Sequence, residues 1–580
     1  MVPLQLTGTG VSNAIANGSA TIIPRSHIHI THRKLAGNQI DSEAGRYQLA
    51  VETAKQQLVD IGQLIPENTP ADIYSFIDAH LLMLGDPTLY EAPVDIIRQS
   101  RCNAEWALQK QHEILLRVFE EIDDPYLKTR RDDVAHVVSR IQRVLMNETT
   151  LSDLVNGKDL ALKVIVVDDL SPAEIITVHQ AGVAGFITEF GGPLSHSAIL
   201  ARSLNIPALV GVHDARQLLH PGEEIVIDGE KNTLIASPDK RLRAWYRYKS
   251  REYRKRQIAL QALRDEPAVT MDKQHISLQV NIELPDDIRA AKKSGCTGIG
   301  LLRTEYLYMN REQLPSEEEQ FSAYRSMIRR MKGAPVTIRT LDLGADKQVD
   351  SGRSDTPLPS NPALGLRAIR LCLQDQELFH TQLRAILRAS AYGPVRMMIP
   401  MISTVNEIRQ VRTHVQTIQG ALRRQRIRFD ENIPIGTMIE VPAAAIAANM
   451  FAPHCDFMSI GTNDLIQYTL AIDRVDDAVN YLYDPMHPAI LQLIKVTIDA
   501  GKKAGIPVSM CGEMAGDTRF TRLLLGLGLR EFSMQPSSLL EVKSVIKHTS
   551  IAKLTRPVRK VMQSSESAHI YDILHGINAH

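Results

Sequence analysis

The sequence predicts a multidomain α/β protein: an α/β unit interrupted by a helical bundle, then a (β/α)8 TIM barrel. Three observations predict it. Eight short apolar segments alternate with helical stretches from Thr270 to the C-terminus. A nearly unbroken helical periodicity runs from Asp41 to Met146. Short apolar runs punctuated by turn residues lie on either side of it, in residues 1–25 and beyond residue 148.

In chain order, Gly8, Gly10 and Gly18 punctuate a small β element that includes Val11–Ile23. Asp41-Ser42 is the expected cap of a helix ending at Leu64. Ala71–Leu84 follows, closed by Gly85-Asp86-Pro87. Glu91–Ile122 reads as one long or two broken helices, closed by Asp123-Asp124-Pro125. In Tyr126–Met146, Val134, Val138, Ile141 and Leu145 form one stripe. Short connections between long helices imply antiparallel packing. Leu162–Val167, Val183–Thr188, Pro207–Gly211, Glu223–Gly229 and Thr233–Ile235 then read as short strands, with a helix over Pro172–Gln180. Asp239–Asp265 interleaves Arg and Lys with Trp245, Tyr246, Tyr248 and Tyr253. Acidic residues interrupt it, which favours a solvated linker helix over an RNA-binding one. The expected division is an α/β domain at 1–25 plus 148–236, an inserted bundle at 26–147, a linker helix at 237–270 and a barrel at 271–580.

The eight barrel strands are expected at Ile276–Ile282, Gly298–Leu302, Val336–Leu341, Arg396–Met401, Ile435–Ile439, Asp456–Ile460, Pro507–Met510 and Glu531–Met534. Polar residues gather just after them, where this fold builds its sites. They are Glu283; Arg303, Thr304 and Glu305; Arg339 and Asp342; Glu440; Asn463 and Asp464; Cys511 and Glu513. Arg474 lies in the loop after the sixth strand. Arg303, Arg339 and Arg474 are forks suited to phosphate. Glu440 and Asp464, with substrate oxygens and water, suit an octahedral Mg2+; a structural ion-pair set is the alternative. Asn463 can donate to phosphate or carboxylate. The rim describes a small anion bearing phosphate and carboxylate. Cys511, by position alone, reads as an inert buried thiol.

A second feature lies between two predicted strands, in Gly191-Gly192-Pro193-Leu194-Ser195-His196. The glycines make a strand-to-helix turn, Ser195 is the expected N-cap, and His196 opens the helix. A histidine there can accept a phosphoryl group, because free backbone N–H groups and the helix dipole stabilise the added charge. On the Ser-His pair alone, a plain cap is the better reading.

Composition sets limits. Lys plus Arg and Asp plus Glu each number 66, so the formal charge is zero and favours neither nucleic acid nor an anionic membrane. No apolar run suits a membrane span or a signal peptide. The five cysteines, with no CxxC pair, fit a reducing cytoplasm and no zinc site.

The stretch Gly191–Gly211 resembles the phosphohistidine motif of the phosphoenolpyruvate-utilising enzymes. Pro193 and Leu194 stand where that family often has a basic or long residue and then Thr. Further motifs resemble the phosphoenolpyruvate-binding barrel of its enzyme I branch. They are Gly298–Glu305, Leu314-Pro315, Arg339–Asp342, Gly344–Lys347, Asn361–Gly365 with Arg367, Gly461–Leu465 and Met510–Glu513. The order of parts matches along essentially the whole chain. The resemblance implies a swivelling α/β domain whose His196 carries the phosphoryl group. It implies that Arg303, Arg339, Asn463, Asp464 and Arg474 bind phosphoenolpyruvate, that Glu440 and Asp464 hold Mg2+, and that Cys511 protonates the enolate. An HPr-like phosphocarrier of a sugar phosphotransferase system would dock on the bundle, where His80, Lys128, Arg130 and Arg131 lie, and the barrel would form a homodimer. An ATP-dependent dikinase or synthase would need a nucleotide-binding domain, and no Gly-rich phosphate loop precedes residue 150. A regulatory protein with a degenerate barrel is disfavoured by the complete rim set.

Overall fold

The computed structural model describes residues 4–12, 14–23, 30–64, 71–121, 125–146, 160, 162–192, 196–204, 206–285, 287–308, 313–343, 361, 363–473 and 479–579, a few of them by backbone alone. The chain divides into two compact units, Met1–Lys255 and Arg256–His580.

The first unit is built on an eight-stranded sheet. Its strands are β1 (Leu4–Thr7), β2 (Thr9–Gly10), β3 (Ile15–Ile22), β4 (Lys163–Val167), β5 (Gly185–Thr188), β6 (Ala208–Val210), β7 (Glu224–Asp228) and β8 (Thr233–Ala236), in the order β1-β8-β7-β3-β4-β5-β6-β2. β3, β4, β5 and β6 run parallel, while β1, β2, β7 and β8 join antiparallel. Between β3 and β4 the chain forms helices α1 (Ile40–Leu64), α2 (Ala71–Gly85), α3 (Pro87–Tyr90), α4 (Ala92–Ser100), α5 (Ala104–Glu121) and α6 (Pro125–Leu145). The Glu91–Ile122 stretch is thus broken, at Arg101, which adopts a left-handed conformation with φ 49°. The start of α1 differs from the expected Asp41-Ser42 cap. A 3-10 turn, Gly37–Gln39, leads directly into Ile40, and the Gln39 side chain accepts from Ala36 N at 3.0 Å. Asp41 and Glu43 occupy the first turn instead, where acidic groups complement the helix dipole.

Strand alternation explains how the bundle sits on the sheet. Ile165, Val167, Phe186, Ala208 and Val210 pack in one core with Tyr47, Leu58, Leu108 and Ile141 of the helices. Their neighbours Val164, Val166, Ile187 and Leu209 point to the other face and pack with Ile225, Ile227 and Leu234. A period of two on strands buried on both faces gives the continuous apolar runs seen in the sequence.

The second unit contains a closed barrel of eight parallel strands: β9 (Ser277–Ile282), β10 (Ile299–Leu302), β11 (Val336–Arg339), β12 (Val395–Ile399), β13 (Ile435–Ile439), β14 (Met458–Ile460), β15 (Val508–Met510) and β16 (Glu531–Met534). β16 closes on β9 through Glu531–Ser277 and its successors to Met534–Val280. Leu301, Met398, Met438, Phe457 and Cys511 form a separate small apolar cluster. Gly436 makes room there: a Cβ on it would lie 2.6 Å from the Phe457 ring.

A helix over Lys240–Ala262 spans the expected linker and crosses the boundary between the units. Just past its end, the chain is held by Lys543, which is 3% exposed. Its Nζ donates to the carbonyls of Leu263, Arg264 and Glu266 at 3.2, 2.8 and 3.0 Å. Burial pulls the lysine below its ordinary pKa, and Asp265 opposes that. A Lys543→Met variant keeps the buried stem but removes all three charge-assisted bonds. It is expected to lose about 1–3 kcal/mol of stability, measured as a lowered midpoint in urea with an unchanged slope.

Candidate active site

The barrel mouth collects the rim residues around one cavity of about 640 Å³. Arg303, Arg339, Glu440, Asn463, Asp464 and Cys511, all named from the sequence, line it. Asp342, Asn361, Arg367 and Tyr468 line it too. Arg474 falls outside the described residues, as do Pro193, Leu194 and Ser195.

Arg339 ends β11 and points into the mouth between fixed anions. Its Nη2 donates to Glu305 at 2.9 Å and its Nη1 meets Asp342 Oδ2 at 2.7 Å. Asp342 Oδ1 in turn accepts from Arg367 at 2.8 Å, and Arg367 also reaches the Tyr468 hydroxyl at 3.2 Å. The surrounding carboxylates hold both guanidiniums firmly charged against the cost of burial. The Nε atoms of Arg339 and Arg367 are buried with no hydrogen-bond partner among the described residues. Two cations fixed by second-row carboxylates are well prepared to receive an anion. Arg303 is more open than Arg339. It keeps 37% of its side chain exposed and pairs with Glu283 at the lip.

Asp342, Glu440 and Asp464 each place one oxygen within 4.8 Å of the others. Glu440 follows β13, is 2% exposed, and accepts from the Met401 backbone N–H at 2.6 Å. Burial, then the charges of Asp342 and Asp464, pushes its carboxyl up to about 8, against the pull of Arg339. A buried carboxylate crowded by two others is in want of a cation. Both Asp342 oxygens meet arginines, at 2.7 and 2.8 Å, whereas Asp464 meets Arg367 at 3.8 Å, so a cation between Glu440 and Asp464 would displace less. An all-oxygen set beside an anion cavity fits Mg2+.

Asn463 opens the helix Thr462–Leu470 and is clamped by Glu513: Nδ2 donates to Glu513 Oε1 and Oδ1 accepts from Glu513 N, both at 3.0 Å. Cys511 ends the run from β15. Asn281 Nδ2 donates to its carbonyl at 2.9 Å, and Ser533 Oγ donates to Asn281 Oδ1 at 2.6 Å. Its thiol sits 3.3 Å from Ser459 Oγ, and burial pushes it up to about 11. The group therefore keeps its proton at neutral pH.

In the first unit, His196 begins the helix His196–Ser203 and is described by its backbone alone; residues 193–195, between it and Gly192, lie outside the described residues. Gly191 has φ +98°, a conformation that bars other residues without strain. Ser197 Oγ donates to the Leu170 carbonyl, and Arg202 Nε donates to the Val11 carbonyl at 3.0 Å. These bonds fasten the helix at both ends to the loops that follow β4 and β2.

Sequence reasoning gave Asp342 and Arg367 no chemical role of their own. Arg367 had one signal, its place after the Asn361–Gly365 run. The expected docking residue His80 is corrected: it is 3% exposed and faces the bundle interior. The side chains of Lys128, Arg130 and Arg131 lie outside the described residues.

A barrel whose mouth joins fixed arginines to an oxygen cluster defines an enzyme acting on a small anion. Comparison with known proteins gives the family. Models described as "PEP-utilising enzyme, PEP-binding domain", "PEP-utilising enzyme, N-terminal" and "PEP-utilising enzyme, mobile domain" match residues 257–551, 7–130 and 161–232. The chain belongs to the PEP-utilising enzyme family and is a transferase. Proteins called phosphoenolpyruvate-protein phosphotransferase are similar throughout. The one from Cupriavidus necator is 43% identical over 97% of both chains, and that from Priestia megaterium 38% identical over 98% of both. A solved structure titled as an NMR solution structure of Enzyme I (nEIt) covers 43% of this chain and 99% of its own, at 29% identity and TM-score 0.38. Among the described residues, no helix is long and apolar enough to cross a membrane.

Proposed function

We propose that the chain is a phosphoenolpyruvate-protein phosphotransferase that phosphorylates itself on His196 and passes the group to a histidine of an HPr-like carrier. The observation that carries this is the barrel mouth, where Arg339 and Arg367 are fixed beside Glu440, Asp464 and a protonated Cys511. The near-full-length kinship with proteins of that name supports it. Arg303, Arg339, Asn463 and Arg474 bind the phosphate and carboxylate of phosphoenolpyruvate, with Asp464 at the same mouth. The enol-phosphate P–O bond breaks as a P–N bond forms to His196. The enolate takes a proton at carbon from Cys511 and leaves as pyruvate. His196 must visit the mouth and then leave it, so the α/β domain, 1–25 plus 148–236, swivels on the 237–270 linker. The bundle at 26–147 receives the carrier, and the 271–580 barrel domain pairs two chains. The setting is cytoplasmic, serving sugar uptake or its regulation.

Mg2+, held by Glu440 and Asp464, supplies neutralising charge to the phosphate oxygens when bound. Its binding carries a pH signature. Without a cation, Glu440 holds its proton below about pH 8. The ligand form is the carboxylate, so binding at pH 7 expels a proton. Mg2+ affinity is expected to rise with pH up to about 8 and then level. Calorimetry in two buffers of different ionisation heat counts the released proton, and Glu440→Gln is expected to abolish the release.

The function is tested by incubating the protein with Mg2+ and either phosphoenolpyruvate or ATP, each labelled in the transferable phosphate. Acid-labile label from phosphoenolpyruvate, and none from ATP, is expected. Label from ATP, or none from phosphoenolpyruvate, would sink the reading.

A further inference from the structure

A second group of ligating side chains lies in the first unit. His80 on α2 and Asp133 and His136 on α6 converge, with one ring nitrogen of each histidine and one Asp133 oxygen within 4.8 Å of one another. His80 and Asp133 are 3% and 4% exposed. His80 Nε2 stands 3.7 Å from Asp133 Oδ1, and the two imidazole rings are 6.4 Å apart between centres. His136 keeps 32% of its side chain open, and its Nε2 faces Asp169 Oδ2 at 3.6 Å. Its Nδ1 is buried with no hydrogen-bond partner among the described residues.

A simple buried His–Asp pair accounts for this arrangement poorly. The His80–Asp133 pair, 3.7 Å apart, accounts for those two groups. It leaves the convergence of a second imidazole, with a buried ring nitrogen unpartnered among the described residues, without a purpose. Two imidazoles and a carboxylate, with a further carboxylate on the outer nitrogen of one ring, match the donor set and outer support of a transition-metal site. We propose that His80, Asp133 and His136 bind a dication of the Zn2+ class, with Asp169 orienting His136. The open side of His136 gives the ion a way in and leaves a fourth position for water. Ligand atoms around tetrahedral zinc are about 3.3 Å apart, so the cluster closes by small side-chain rotations. Imidazole is a poor ligand for Mg2+, which separates this site from the all-oxygen mouth of the barrel. The cysteine spacing offers no zinc site; these histidines supply one by another route.

The placement gives the site a consequence. It ties α2 to α6, and Asp169 adjoins Leu170, whose carbonyl accepts from Ser197 in the His196 helix. An ion here braces the bundle and reaches the loop that supports that helix.

The test uses full-length, tag-free protein in excess Mg2+, titrated with Co2+ and then Zn2+. Four-coordinate Co2+ absorbs strongly in the visible, whereas Co2+ in an octahedral oxygen site absorbs weakly. One strongly absorbing Co2+ per chain, displaced by Zn2+, is expected. His136→Gln should abolish the band, and Asp169→Asn should weaken binding about 10- to 100-fold. A wild type without the band, or a band undiminished in His136→Gln, overturns the proposal. Should His136→Gln fail to fold, zinc-edge X-ray absorption on the unaltered protein decides. A first shell with two imidazoles supports the site, and one without them refutes it.

Discussion

His196→Ala is expected to abolish covalent capture of phosphate from phosphoenolpyruvate while leaving its binding to the barrel intact. The loss should be complete within detection, because no other described group combines a helix N-terminus with a Gly-Gly approach in this way. In the proposed reaction the side chain is the nucleophile and the backbone would supply the stabilising N–H groups, so removing the ring removes the bond-forming atom alone. Two measurements check it: label on the chain after incubation with labelled phosphoenolpyruvate, and calorimetric titration with phosphoenolpyruvate and Mg2+. Residual acid-labile label on the variant would move the acceptor to another residue. Lost binding in calorimetry would mean that the variant damages more than the acceptor.

Arg339→Lys should lower kcat/KM for phosphoenolpyruvate by about 10³-fold, the size seen when one preorganised donor to a developing charge is lost. Lysine keeps the charge but not the fork. Arg339 meets Glu305 at 2.9 Å and Asp342 at 2.7 Å through different nitrogens and still turns its guanidinium to the cavity. A single ammonium drawn toward either carboxylate cannot do all three. Arg339→Met should add a stability loss of about 3–5 kcal/mol, because Glu305, 5% exposed, would lose its buried cation and Asp342, also 5% exposed, would keep only Arg367. Steady-state kinetics and urea unfolding on both variants separate the effects. Full activity in Arg339→Lys would show that the other arginines bind the anion unaided.

The barrel was legible because its strands are buried on both faces, so each appears as a short apolar run whatever its neighbours. The run read at Arg396–Met401 is β12, Val395–Ile399, shifted by a residue or two. The rim was legible for a related reason: polar residues directly after such runs have nowhere else to go but the mouth. The ties among those residues were not legible. Asp342 joins Arg339 three residues away and Arg367 across a long connection, and spacing does not encode that pairing. From its place in the bundle, together with Lys128, Arg130 and Arg131, His80 reads as a surface residue. A signal was available, since Ile77, His80 and Leu84 recur at helical spacing and all three are buried on one face of α2.

The first strand of the chain pairs with the last strand of its sheet, Leu4 opposite Ala236. This has a consequence for synthesis on the ribosome. β1 and β3 emerge first, but their antiparallel partners β8 and β7 are made only after the whole bundle. The contiguous helices α1 to α6 can settle early through local contacts, while the N-terminal strands wait with open edges. A nascent chain stopped short of β7 would expose those edges to other chains, and such truncated products are the ones that chaperones must shield or proteases remove.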